Sequence, residues 1–340
     1  MKQAIYKGNK TIEVSAGQAQ VPGPDEVRID VAYCGICGTD LHIFLGHMDQ
    51  RVDIPQVVGH EMSGIVAEVG SNVTAWQAGD PVVVRPLDPC NDCPSCAAGH
   101  RHICQNLRFL GIETPGAFQS SWTVPAHTLH RLPNDIALDH AAMIEPIAVA
   151  CHDVRMGRIA QGEKVVVIGG GPIGILNALV ARHAGGDVTV SEVNPYRIHL
   201  AEELGLNTVN PLETDLSAYV ADWTGGAGAD VVFEVSGTAI GAETMTKLVR
   251  TRGRIVVVAI FADAPKVDLF QFFWRELEMI GVRVYEPEDY DKAIEMVATN
   301  ALPLDKLITE RYSLTKIQTA FEELASGAEA MKILINTQEG

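Results

Sequence analysis

The sequence predicts a two-part α/β plus β fold, with a β-rich first domain and a second domain built as a doubly wound parallel sheet. Three observations predict it. Short apolar runs punctuated by Gly and Pro fill roughly the first 131 residues; a continuous apolar strand enters a glycine turn and a helix over 164–186; and strands then alternate with helices as far as residue 284. A chain of 340 residues is too long for one ordinary core, which agrees with two domains.

In the first domain, alternating runs predict strands at 26–33, 64–69 and 81–86, separated by turn signals at 22–25, 70–72 and 79–80. This half reads as a small folded-over barrel. Residues 34–64, CGICGTDLHIFLGHMDQRVDIPQVVGHEMSG, set Cys37, His60 and Glu61 in short loops between apolar runs. These three carry the ligand chemistry of zinc, which takes thiolate, imidazole and carboxylate in tetrahedral sites, and three ligands leave a position open.

Further on, PCNDCPSCAAGHRHIC repeats cysteine at every third residue, at Cys90, Cys93 and Cys96, and adds Cys104 after seven others. Four thiolates at this spacing can close around one zinc and leave no open position, so the loop reads as a structural site. A ferredoxin-type iron–sulfur run differs, because its fourth cysteine follows after three residues and precedes Pro. Here Gln105 follows. The odd total of seven cysteines argues for metal and thiol chemistry over disulfides, and Cys34 and Cys151 read as small buried hydrophobes.

Apolar positions at helical spacing predict a helix over 141–158, with Glu145 before Pro146 near its start among Met143, Ile144 and Ile147. Next, Gly169, Gly171 and Gly174 fit G-x-G-x-x-G, with Pro172 and Ile173 in the first helical turn. With a strand before and a helix after, the motif reads as a dinucleotide site whose pyrophosphate meets free N–H groups at the helix start. Glu192 closes the following strand, 188–191, eighteen residues beyond Gly174, where a carboxylate accepts hydrogen bonds from the adenosine ribose and disfavours a 2′-phosphate. NAD is therefore expected over NADP, although Arg197 could attract that phosphate.

Strands at 230–235, 254–260 and 279–284, with a helix at 242–250, continue the alternation. The carboxyl edge of such a sheet, where ligands bind, carries Val235, Ser236, Gly237 and Ala259. Helices at 290–299 and 314–326 lead to a last strand at 331–336, expected to rejoin the first domain.

A formal charge of -17 makes nucleic acid and anionic membrane surfaces poor partners. The first residues, MKQAIYKGNKTIEV, lack the apolar core of a signal peptide, and no apolar run approaches the ~20 residues that span a bilayer. A soluble cytoplasmic protein is expected.

Together, GICGTDLH at 35–42, GHEMSGIVAEVG at 59–70, the four-cysteine loop at 90–104, Glu145–Pro146 and GGGPIG at 169–174 resemble a zinc-dependent member of the medium-chain dehydrogenase/reductase (alcohol dehydrogenase) superfamily. The branch it is most similar to holds sorbitol, butanediol and threonine dehydrogenases. The resemblance implies a GroES-like catalytic domain over 1–150 and 288–340, with a structural zinc lobe at 88–106, and a Rossmann coenzyme domain over 151–287. It also implies two zinc ions per chain and a homo-oligomer, dimer or tetramer.

By that resemblance Cys37 and His60 bind a catalytic zinc, with either Glu61 or Glu145 as third protein ligand. Asp40 stands behind His60 and fixes its tautomer. Zinc acidifies a bound hydroxyl, whose carbon gives a hydride to the nicotinamide, and Thr39 and His42 carry the proton outward. The substrate expected is a small alcohol: a polyol, vicinal diol or sugar derivative oxidised to a ketone, with L-threonine 3-dehydrogenation as the alternative and a non-catalytic dinucleotide-binding protein as the reading of another class. Phe44, Phe109, Phe118, Phe261, Glu113, Arg283 and Tyr285 are the candidates for lining its pocket. His47, His100, His102 and His127 read as solvated.

Overall fold

Valines and isoleucines alternate with polar residues along Glu26–Gly35, so one face of this ten-residue strand is buried completely at Val27, Ile29 and Val31. In the computed structural model, which describes residues 1–339, this strand is the spine of a seven-stranded sheet. Across the sheet the order is Ile308–Ser313, Lys332–Asn336, Glu26–Gly35, Glu61–Val69, Pro81–Val84 and Leu129–Arg131, with Ser121–Pro125 also paired to Glu26–Gly35. The last strand of the chain thus rejoins the first part, antiparallel to Glu26–Gly35.

The chain divides into two compact units, Met1–Glu145 together with the chain from Glu286 onward, and Pro146–Tyr285. In the second unit six strands pair in parallel, in the order Asn207–Val209, Asp187–Ser191, Lys164–Ile168, Ala229–Glu234, Val249–Val257 and Glu278–Gly281. Numbered within the unit this is 3-2-1-4-5-6, the doubly wound arrangement in which ligands bind outside the carboxyl ends of the first and fourth strands. Val166, Val232, Ile255, Met245 and Leu248 pack one side of that sheet, each burial worth about 1.5–3 kcal/mol.

Several boundaries differ from the expectations. The segment taken as loop after Cys37 is a helix, Gly38–Phe44, because Asp40 accepts the Cys37 N–H at 2.9 Å and closes its first turn. The strand expected at 64–69 begins at Glu61, since Gly64 lies within the sheet opposite Val31 and does not mark its start. Thr238 caps a helix at Ala239–Leu248, and the next strand follows directly as Val249–Val257. A further helix, Leu269–Arg275, escapes the sequence pattern because Leu269, Phe270, Phe273 and Trp274 are 60–78% exposed and only Phe272 packs against the core. Among the described residues no helix is long and apolar enough to cross a membrane.

Candidate active site

Sheet register builds the first site. Gly35 stands opposite Leu334 on one side and Glu61 on the other, and a Cβ at Gly35 would fall on the Glu61 carboxylate. Glycine therefore makes room for Glu61 between strands. Cys37 caps the helix just beyond, and His60 precedes Glu61, so the ligand atoms of Cys37, His60 and Glu61 all lie within 4.8 Å of one another. His60 and Glu61 are buried and Cys37 is half-buried. Glu145, buried in the first turn of the helix Ile144–Gly157, is not one of this set.

The donors fit a cation. Among the described residues Glu61 Oε1 is buried without a hydrogen bond, although buried polar atoms ordinarily find partners. Asp40 Oδ1 lies 3.5 Å from His60 Nδ1, placing a carboxylate behind the imidazole. Burial works against a charged His60, but Asp40 and Cys37 together outweigh it and raise the imidazole pKa well above its usual value. The edge of Phe109 covers the ring at 5.3 Å between centroids.

Sequence reasoning missed Lys332. Its buried ammonium pairs with Glu61 Oε2 and donates to the Ile36 carbonyl at 3.3 Å. Burial opposes its charge, while Glu61, then Cys37 and more weakly Glu145, raise its pKa above the usual lysine value. The signal was faint: one lysine opening an apolar strand, KILIN, where a buried charge demands a partner.

Thr39 and His42 share a face of the helix Gly38–Phe44, three residues apart, with Thr39 half-buried and His42 exposed. His42 has a ring partner that was expected to be solvated: His47, with the two Nδ1 atoms 3.2 Å apart. Of the other histidines read as solvated, His127 pairs with Asp88 at 3.2 Å and the His102 side chain is 10% exposed beside Glu286.

Candidates for the substrate pocket separate into groups. Phe44 and Phe118 are core residues, both packed on Phe321 at 5.2 and 5.9 Å. Glu113 is committed, with one oxygen on Arg51 at 2.5 Å and the other accepting the Phe109 N–H at 2.7 Å. Tyr285 is fully buried and Arg283 exposed.

The four-cysteine loop closes as its spacing predicts: all four sulfurs fall within 4.8 Å of one another. Cys90 and Cys104 are 3.4 Å apart and Cys93 and Cys104 3.8 Å, near the ~3.8 Å edge of a tetrahedron with 2.3 Å zinc–sulfur bonds. Backbone N–H groups of Gln105 and Cys96 bring the Cys93 thiol down to about 6, while burial pushes Cys96 up to about 12. Donors aimed at sulfur suit thiolate ligands.

In the second unit Gly169 adopts φ +102°, and Gly174 sits where a Cβ would strike the Gly169 carbonyl, so helix and strand close tightly around the turn. Gly171 caps the helix Pro172–His183, with Ile173 half-buried behind Pro172. Glu192 receives the N–H groups of Gly170 at 2.7 Å, Val193 at 2.7 Å and Asn194 at 2.9 Å, and Arg197 stands 3.7 Å from its carboxylate. Across the edge, Ser236 bonds to Glu234, a fully buried acid that sequence reasoning passed over, and to Thr238 at 2.9 Å. Burial pushes the Glu234 carboxyl up. Ala259 donates its N–H to the Glu234 carbonyl at 3.1 Å.

Residues 23–134 match the alcohol dehydrogenase GroES-like domain family and residues 172–299 the zinc-binding dehydrogenase family. A 2-dehydro-3-deoxy-L-galactonate 5-dehydrogenase of Pseudoalteromonas atlantica is 55% identical over 335 residues, 98% of each chain. A sorbitol dehydrogenase of Halalkalibacterium halodurans is 33% identical over 92% of each chain. The crystal structure of 2R,3R-butanediol dehydrogenase from Bacillus subtilis superposes with a TM-score of 0.91 at 30% identity, covering 98% of this chain and 99% of that one.

Proposed function

The chain belongs to the zinc-binding dehydrogenases that carry an alcohol dehydrogenase GroES-like domain and is an oxidoreductase; from that premise we propose that it oxidises a secondary hydroxyl of a sugar acid to a ketone with zinc and NAD. The observation that carries the proposal is the convergence of Cys37, His60 and Glu61, with Glu61 Oε1 left without a hydrogen bond among the described residues.

When bound, zinc polarises the alcohol oxygen and NAD accepts the hydride, so that alcohol and NAD give ketone, NADH and a proton. Cys37 and His60 hold the metal. Glu61 is the carboxylate placed to complete its protein ligands, with Lys332 orienting it, and Glu145 is the remaining candidate. Asp40 keeps the His60 ring turned. The Thr39 hydroxyl takes the proton inside and His42 releases it at the surface, an order supported by their burial. Cys90, Cys93, Cys96 and Cys104 hold a second, structural zinc.

Gly169, Gly171, Pro172, Ile173 and Gly174 bind the pyrophosphate, and Ser236 and Ala259 border the nicotinamide end. Glu192 supports NAD over NADP, because a carboxylate at the end of that strand repels a 2′-phosphate and its ion pair with Arg197 occupies the nearby cation. The substrate follows the 55% identical relative: 2-dehydro-3-deoxy-L-galactonate, or a sugar acid of the same kind.

A panel of this sugar acid, sorbitol, 2,3-butanediol and L-threonine, each with NAD and with NADP, tests the proposal. The sugar acid with NAD should give the highest kcat/KM, with NADP at least about 100-fold poorer, equivalent to ~2.8 kcal/mol. Fastest turnover of L-threonine, or preference for NADP, would sink it.

A further inference from the structure

The turn that ends the helix Gly38–Phe44 does more than stop it. Gly46, at φ +82°, donates its N–H to the Ile43 carbonyl at 2.9 Å, and His47 donates to the His42 carbonyl at 3.0 Å. This is the paired bonding of a Schellman turn, which sets the residue after the glycine beside the one five positions earlier. Those two positions ordinarily carry apolar side chains in contact. Here they carry two imidazoles, with Nδ1 atoms 3.2 Å apart and ring centroids 5.5 Å apart.

We infer that His47 is a positioning residue for His42, holding its ring and fixing its tautomer at the outer end of the proton path. The inference rests on the path from Thr39 to His42 proposed above. A bond between two imidazole nitrogens needs one N–H and one lone pair, so one ring carries its proton on Nδ1 and the other does not. Each ring then keeps Nε2 for other partners, and the His42 ring cannot turn without breaking the bond. Among the described residues no carboxylate pairs with either ring, which leaves the partner imidazole to set the orientation.

Four variants test this with 2-dehydro-3-deoxy-L-galactonate and NAD: His42→Ala, His47→Ala, His47→Gln and the double alanine. Both histidines are exposed, so each variant is expected to fold. His47→Ala should lower kcat about five-fold near pH 7 with KM unchanged, less than the 10²–10⁴ of a whole acid–base group. His47→Gln, whose amide can bond Nδ1, should restore most of the loss, and the double alanine should be no slower than His42→Ala alone. Independently of turnover, ¹⁵N-histidine NMR of the full chain, assigned with the two alanine variants, should show one ring of the His42–His47 pair protonated at Nδ1, and the signal of that pair should vanish in His47→Ala. Wild-type kcat in His47→Ala beside a slow His42→Ala, additive losses, or no Nδ1-protonated ring at either His42 or His47 would overturn the inference. Full turnover in His42→Ala would instead contradict the proton path itself, and the inference with it.

Discussion

Glu61 presents Oε2 to the Lys332 ammonium and leaves Oε1 without a hydrogen bond among the described residues, so one carboxylate answers a buried cation and keeps an oxygen open beside Cys37 and His60. Removing one partner of such a pair strands a buried charge, which costs about 3–5 kcal/mol. Lys332→Met should therefore lower the unfolding free energy measured by urea denaturation by that amount, and adding Glu61→Leu should recover much of it; an unchanged free energy in the single variant would show that the pair contributes nothing. The pH dependence has a definite sign. The Lys332 pKa is raised on folding, so its stabilisation is complete below the unfolded value of ~10.5 and is lost as pH rises through the higher folded value. At this scale Cys37, His60 and Glu61 were legible because ligand chemistry belongs to residue type. Lys332 was not, because its partner lies 271 residues away and only sheet register joins them.

At the scale of elements, the four-cysteine loop and the glycine turn could be read directly, since each is built by local spacing and needs no distant contact. The helix Gly38–Phe44 was missed: its cap is a cysteine closed by Asp40, and its glycine and threonine are poor helix formers. Leu269–Arg275 was missed for the opposite reason, with too much apolar surface to show a stripe. That helix precedes Glu278–Gly281, the strand at the end of the six-stranded sheet, and an open edge beside exposed aromatics invites a second copy. A homo-oligomer held partly by this face is expected. Phe273→Asp should shift sedimentation toward the monomer, and an unshifted assembly would place the contact elsewhere.

For the whole molecule, alternation of strand and helix was enough to give the doubly wound unit, because right-handed crossovers leave few ways to order parallel strands. The first unit was harder, since its sheet is completed by Ile308–Ser313 and Lys332–Asn336 from the far end of the chain. Two of the side-chain groups that could hold a metal ion differ in character, one made of four sulfurs and one of three mixed donors. The most direct measurement is metal content and turnover on the same samples of wild type and Cys37→Ser. The wild type should hold about two zinc ions per chain and turn over; Cys37→Ser should hold about one, bind NAD with unchanged affinity and show no turnover. Wild-type turnover in Cys37→Ser would contradict the account.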